Sequence, residues 1–439
     1  MNTIEYLIAD FQERPLPVLT NRDIDIPIIP GKADVVIGMR RSGKTYLLFQ
    51  ELQRLMSAGV QKQNLLYINL EDDRLDSHTP GLLDAVLETF FRNNPEVRSQ
   101  ESHLFLDEIQ VVPDWERFIR RVLDTENAHI YLTGSSAKML VTEVSTVLRG
   151  RGISVEVLPF SFSESAIHAG IDVSSHLPPG AQLRSKLEAH CLQYLEQGGF
   201  PEVQNIDERN RIRILQDYVE LVVMRDIIER HGIENIAAAK VFSHTLLQMV
   251  GRLFSVNKTY NNLKSRGVKV GKDTLHLLLD YLSDAYLLFT VPIFRKSPQA
   301  RAVNPRKVYA VDPGLVRAMS HVSTVDLGAR LENAVYLELR RRYGDRADGE
   351  ISYHKTASNR EIDFVVGNQT DGSVQKVVQV CSSLKESETR EREIEALMEG
   401  MPELDVSEVD LVTLSEEGII ETEAGIVRLV PAWRWLLSQ

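Results

Sequence analysis

The 439-residue chain is 43% apolar and 26% charged, enough for packed cores in two to four domains, which excludes wholesale disorder. Fifty Lys and Arg against sixty-two Asp and Glu give a net charge of -12, so bulk charge does not draw the protein to nucleic acid and any such surface is local. Cys191 and Cys381 have neither disulfide nor zinc-ligand spacing, the first thirty residues lack an apolar signal core, and no apolar run approaches a membrane span, so the expectation is a cytoplasmic protein without membrane contact.

Residues 1–30 read as an N-terminal arm, helical at first and then punctuated by Pro15, Pro17, Pro27 and Pro30. A P-loop ATPase core is expected over 31–161. It opens on the buried strand Val35-Val36-Ile37, which runs into Gly38-Met39-Arg40-Arg41-Ser42-Gly43-Lys44-Thr45 and a helix from Tyr46. That octet satisfies G-x-x-x-x-G-K-[ST] in the strand–loop–helix context the motif requires. Glycines let the backbone N–H groups of Gly38 to Tyr46 face phosphates, Lys44 reaches the β- and γ-phosphates, the Thr45 hydroxyl holds Mg2+, and the helix N-terminus adds its dipole. The expected cofactors are therefore ATP and Mg2+.

LLYINL at 65–70 reads as a second buried strand, with Glu71, Asp72 and Asp73 at its end. HLFLDE at 103–108 then delivers two carboxylates to a strand end. Asp107 is placed to position Mg2+ and Glu108 to polarise the attacking water. Ile130-Tyr131-Leu132 ends in Thr133-Gly134-Ser135-Ser136, where Ser135 and Ser136 are candidates to sense the γ-phosphate. Arg149 and Arg151 precede a fifth strand, and Arg151 is a candidate to stabilise phosphate charge within the subunit or across an oligomer interface.

Together with LTGSS at 132–136, LRGR at 148–151 and LPFSFSE at 158–164, these motifs resemble the prokaryotic AAA+-type ATPases that carry a C-terminal domain of unknown function related to restriction-endonuclease folds. Gly198-Gly199-Phe200-Pro201, Arg225-Asp226-Ile227, Leu331-Glu332-Asn333 and Glu361-Ile362-Asp363-Phe364 extend the resemblance over nearly the whole chain. It implies an α/β architecture: an AAA+/ASCE-type P-loop parallel sheet with a helical lid, a winged helix, and a C-terminal nuclease-like α/β domain.

The lid is expected over 162–235, where apolar residues at 183, 187, 191, 192 and 195 fall near helical spacing and Arg225 lies on a second long helix. Residues 236–299 read as three helices and a hairpin, an order that suggests a winged helix-turn-helix. Arg252 to Lys272 holds six Lys or Arg without an acid and Ala285 to Val311 five more, the footprint of a phosphate-contacting face, so DNA or RNA is a candidate partner through 252–307. A basic protein-contact module is the alternative. Over 300–439 the resemblance implies a nuclease-like domain in which a helix Glu, a strand Asp and an E-x-K bind metal and activate water. Glu332 and Asp363 match, but Gln379 and Cys381 stand where the E-x-K belongs, and Lys385 would act only from another backbone position, so impaired or absent cleavage is expected. The reading is an ATP-hydrolysing conformational switch coupled to nucleic acid, with a possible homo-oligomer supplying an arginine in trans. The alternatives are an ATP-gated metal-dependent nuclease and a signalling ATPase whose C-terminal domains bind protein.

Overall fold

The computed structural model describes residues 2–76, 79–134, 148, 150–173, 179–320, 326–344 and 349–438. The chain divides into two compact units, one of residues 1–158 with 284–286 and the other of 159–283 with 287–439.

The first unit opens with helix α1 (Thr3–Glu13), started by a reciprocal capping box between Asn2 and Glu5. Its sheet comprises β1 (Ala33–Ile37), β2 (Leu65–Asn69), β3 (Ser102–Asp107), β4 (Ala128–Gly134) and β5 (Gly152–Glu156), all parallel, in the order β2-β3-β4-β1-β5. These are the five apolar runs expected from sequence, and their near-continuous burial is what a sheet covered on both faces demands. Among the described residues, helices α2 (Lys44–Ser57), α3 (Leu82–Asn93) and α4 (Trp115–Thr125) accompany this sheet. One core joins Leu47, Leu48 and Leu52 of α2 to Val36, Phe105 and Tyr131, with Phe11 of α1 at its margin. Strand order matters for function. Because β4 lies between β1 and β3, its carboxyl end separates the loop after β1 from the acids ending β3.

The second unit begins with α5 (Phe162–His168) and α6 (Ala181–Gln197). Next, α7 (Glu208–Leu221) continues into a π-helical stretch, Val222–Glu229, that contains Arg225. Helices α8 (Ile236–Leu247), α9 (Val256–Ser265) and α10 (Lys272–Asp284) follow in the expected order. They are accompanied by a short antiparallel sheet of β6 (Leu253–Phe254), β7 (Leu288–Val291) and β8 (Arg306–Ala310), ordered β6-β8-β7, with α11 (Pro298–Val303) between β7 and β8. The boundary expected between 299 and 300 thus falls inside this sheet. Backbone pairing of β8 with both other strands carries the module to residue 310.

Helices α12 (Pro313–Met319) and α13 (Leu327–Tyr343) lead to a six-stranded sheet of β9 (Glu350–Lys355), β10 (Glu361–Asn368), β11 (Ser373–Val380), β12 (Glu408–Thr413), β13 (Gly418–Thr422) and β14 (Gly425–Pro431). Its order is β13-β14-β12-β11-β10-β9. The β9–β10–β11 meander is antiparallel, whereas β11, β12 and β14 run parallel, with the crossover helix α14 (Ser387–Glu403) joining β11 to β12. Among the described residues no helix is long and apolar enough to cross a membrane.

Candidate active site

Five buried strand residues end at Ile37, and the chain turns sharply through Gly38, where a Cβ would come within 2.2 Å of the Val157 carbonyl oxygen. Gly43 closes the turn at φ 104, a left-handed conformation that an L side chain resists, and caps α2 without a side-chain hydrogen bond. The first amides of α2 have no acceptor within the helix and lie at its positive end. Lys44 is buried, with Nζ 3.3 and 3.2 Å from the carbonyl oxygens of Gly38 and Met39 and 3.9 Å from Glu108. Ser42 Oγ is buried and without a hydrogen-bond partner among the described residues. Helix-start amides, an unpartnered hydroxyl and a buried ammonium around one Gly-rich turn fit a polyphosphate. Met39 is buried, Arg40 lies 3.5 Å from Glu71, and Arg41 takes a positive φ of 67°. Tyr46 is 52% exposed at the start of α2, edge-on to Phe49.

The acids ending β3 face this loop. Asp107 Oδ2 accepts from the Thr45 hydroxyl at 2.8 Å and the Tyr67 hydroxyl at 2.9 Å, while its Oδ1 accepts from Thr133 Oγ1. Burial pushes the Asp107 carboxyl above the usual carboxylate range, and the Thr133 hydrogen bond partly offsets this. Burial, then the neighbouring Asp107 charge, raises the Tyr67 phenol, keeping it a hydrogen-bond donor. Glu108 is held in a left-handed conformation (φ 55), its N–H donating to Thr133 Oγ1 at 2.8 Å and its Oε2 accepting from Gln110 Nε2 at 2.6 Å. Lys44, Thr45, Asp107 and Glu108, singled out from sequence, thus converge at one sheet edge.

Three residues at this edge escaped the sequence reading. Thr133 at the end of β4 ties both acids together, whereas the expected sensors Ser135 and Ser136 lie outside the described residues, as does Arg149. Tyr67 comes from β2, where Asn69 is in register with Asp107. Arg22 of the arm is buried and donates to the Ser42 carbonyl at 3.0 Å and the Leu158 carbonyl at 2.6 Å, while its backbone N–H donates to Gln50 Oε1 at 2.7 Å. The only prior signal was a cation within a proline-punctuated arm.

Arg151 requires a correction. It precedes β5, whose first residue pairs with Ala33 at the beginning of β1, and its backbone carbonyl accepts from the Ala33 N–H at 2.8 Å. It therefore lies at the opposite edge of the sheet from the phosphate loop, about 13 Å away along β1, and pairs with Asp124. A role at its own subunit's site is excluded by that register. Arg225 side-chain atoms are 64% exposed and pair with Glu229 at 3.0 Å.

In the second unit, the cations Lys258, Lys264, Arg266, Lys269 and Lys272 are exposed along α9, the following turn and the start of α10. Tyr260 lies between Lys264 and Lys272, whose Nζ atoms are 5.9 and 5.3 Å from its ring centroid. The later cationic run is narrower than composition suggests. Arg295 donates to His354 and the Lys355 carbonyl, Arg301 to Gln369, and Lys307 is wholly buried. The expected partner surface 252–307 thus ends on a residue that solvent does not reach. Lys307 Nζ instead lies 2.9 Å from Glu332, 2.7 Å from Glu361 and 2.8 Å from Asp363. Burial acts to lower its pKa, but the Asp363, Glu332 and Glu361 carboxylates outweigh this and hold it well above the ordinary lysine range. Gln379 accepts from the Asp363 N–H at 3.0 Å and donates to Glu393 at 2.6 Å.

Comparison with known proteins places an AAA domain over residues 31–166, followed by domains of unknown function over 188–326 (DUF8612) and 327–402 (DUF4143). The uncharacterized protein MJ1544 of Methanocaldococcus jannaschii is 33% identical over 95% of this chain and 91% of its own length. An uncharacterized protein of Haemophilus influenzae is 29% identical over 75% of this chain and 78% of its own. Among solved structures, the Aeropyrum pernix ORC1 protein in complex with DNA is 14% identical, with 66% of this chain and 86% of that one covered, at a TM-score of 0.27, too slight a likeness to carry an argument.

Proposed function

The chain belongs to the family of the Methanocaldococcus jannaschii protein MJ1544 and carries a P-loop AAA-type domain, and from that premise we propose that it binds and hydrolyses ATP as a conformational switch coupled to nucleic acid. The observation supporting this is the convergence of Lys44, Thr45, Asp107 and Glu108 on one sheet edge, bridged by Thr133. When bound, Mg2+–ATP supplies the phosphoanhydride and the divalent charge. Lys44 and the loop amides would hold the phosphates, Thr45 and Asp107 would hold the metal, and Glu108 would serve as acceptor for a proton of the attacking water. Tyr67 and Thr133 orient Asp107 by hydrogen bonding both of its oxygens. An arginine from a second copy, Arg149, Arg151 or Arg225, would complete the charge compensation.

The nucleic-acid part rests on the exposed cations of α9 and α10 in an acid-free stretch, followed by a small antiparallel sheet, an order that supports a winged helix. The C-terminal sheet, with α13 before it and α14 as crossover, supports a nuclease-like domain without cleavage.

The test is ATP turnover and nucleotide binding by Lys44→Ala and Glu108→Gln. Lys44→Ala should weaken ATP binding, while Glu108→Gln should retain ATP and lose most turnover, because only the proton-accepting carboxylate is removed. Wild-type turnover by Glu108→Gln would sink the hydrolytic assignment.

A further inference from the structure

We infer that the Lys307 ammonium is the resident cation of the Glu332–Glu361–Asp363 carboxylate cluster, closing to divalent metal the position that a nuclease of this architecture would fill with one, and fastening β8 to α13 and β10. This inference rests on the nuclease-like reading of the C-terminal sheet and supplies a reason for absent cleavage that lies outside β11.

Three observations carry it. First, Lys307 is 0% exposed and Nζ lies 2.7–2.9 Å from one oxygen on each of the three carboxylates. Those separations are ordinary for ammonium–carboxylate hydrogen bonds, whereas Mg2+ draws oxygen ligands to about 2.0–2.1 Å and Ca2+ to about 2.3–2.6 Å. Second, two of the three carboxylates also accept from other protein donors. Glu332 Oε1 accepts from the Tyr309 hydroxyl at 2.7 Å as well as from Lys307, and Asp363 Oδ2 accepts from the Val380 N–H at 2.9 Å while its Oδ1 takes Lys307. Third, the flanking strand offers no additional ligand, since Gln379 is committed to Asp363 and Glu393. Among the described residues no group of three His, Cys, Asp or Glu side chains is arranged to hold a metal ion.

β8 belongs to the three-stranded sheet beside α8–α10, whereas β10 belongs to the six-stranded sheet and α13 precedes it. The lysine therefore joins the helical module to the C-terminal sheet by charge. Removing it would strand three carboxylates in a largely buried cluster without their cation, a far larger perturbation than loss of a surface ion pair.

The experiment uses the full-length chain. Thermal unfolding of wild type is followed with and without Mn2+ or Ca2+ in the absence of nucleotide, beside Lys307→Ala and Lys307→Ala combined with Asp363→Asn and Glu361→Gln. The expected results are no Asp363-dependent metal effect on wild type, a fall of roughly 10 °C for Lys307→Ala, and recovery of most of that fall in the charge-relieved triple variant. If Lys307→Ala does not fold, the triple variant decides: folding restored by removal of the carboxylate charges supports the inference, and failure to restore it overturns it. Metal stabilisation of wild type that disappears in Asp363→Asn would overturn it, as would a Lys307→Ala variant that melts with wild type. A parallel DNA-cleavage assay separates the two readings. Metal-dependent cleavage lost in Asp363→Asn refutes the non-cleaving domain, whereas metal binding without cleavage refutes only the resident lysine.

Discussion

Replacing Arg22 with Ala tests whether the N-terminal arm is part of the nucleotide site. Its guanidinium is buried and bridges two backbone carbonyls, Ser42 of the phosphate loop at 3.0 Å and Leu158 at 2.6 Å. Hydrogen bonds to a charged group contribute about 1.5–3 kcal/mol each, so the pair is worth about 3–6 kcal/mol, and water entering the vacated space should return about half. A net loss of about 2 kcal/mol in a unit of this size lowers its melting transition by roughly 4–8 °C. Because Ser42 lies within the loop, unpinning its carbonyl should also weaken ATP binding by roughly tenfold, the equivalent of about 1.4 kcal/mol. Differential scanning calorimetry of the full chain and titration with a fluorescent ATP analogue measure the two effects. Arg22→Lys keeps the charge but not the planar fork, so it should fall between wild type and Ala. An Arg22→Ala protein with unchanged melting and unchanged affinity would refute the argument.

Thr133→Val removes the hydroxyl that bonds Asp107 and the Glu108 N–H. Turnover should fall roughly tenfold or more with ATP binding largely kept, Thr133→Ser should recover it, and steady-state kinetics decide. Replacing Lys264, Arg266 and Lys269 together with Ala should reduce the salt dependence of DNA or RNA binding by a slope of roughly 2–3; a slope unchanged by the triple substitution would move any binding elsewhere. Burial pushes Asp312 up to about 7, although the backbone N–H groups of Gly199, Gly314 and Leu315 donate to it. Its folded pKa is therefore raised, the native state holds the proton between about pH 4 and pH 7, and stability from this group is lost as pH rises through that window. The stability gap between wild type and Asp312→Asn should shrink by about 2 kcal/mol from pH 5 to pH 7, and denaturant titrations showing a constant gap would contradict it.

What was legible at the nucleotide site is what one short segment encodes. The strand, turn and helix around 34–46 and the acids closing HLFLDE depend on neighbours in sequence, so their chemistry could be read locally. Tyr67 and Thr133 act on Asp107 only through lateral register. Asn69 sits beside Asp107, and Leu106 beside Leu132, because the sheet is ordered β2-β3-β4-β1-β5. No periodicity within a strand specifies its neighbour. The same register misplaced Arg151. Its motif suggested proximity to phosphate, but a residue before β5 emerges at the edge where β1 begins. Arg22 reaches Leu158 across 136 positions of chain, a separation over which local patterns carry no signal.

The C-terminal cluster shows a different failure. From sequence, Lys307 counted toward a basic surface, and Gln379 and Cys381 were departures from a catalytic strand. In the fold these departures acquire a physical order. Lys307 supplies the positive charge from β8, and the Gln379 amide receives the Asp363 N–H with its oxygen while giving its own N–H to Glu393. A glutamate at 379 would satisfy the Asp363 N–H but would set a second carboxylate against Glu393 at a separation where, in a buried setting, like charges cannot both remain ionised without large cost. A donor is therefore required on that side of residue 379, and the neutral amide provides both halves of the bridge. The neutral amide at 379 and the internal lysine at 307 are thus two parts of one electrostatic arrangement, in which the buried carboxylates are met by protein donors.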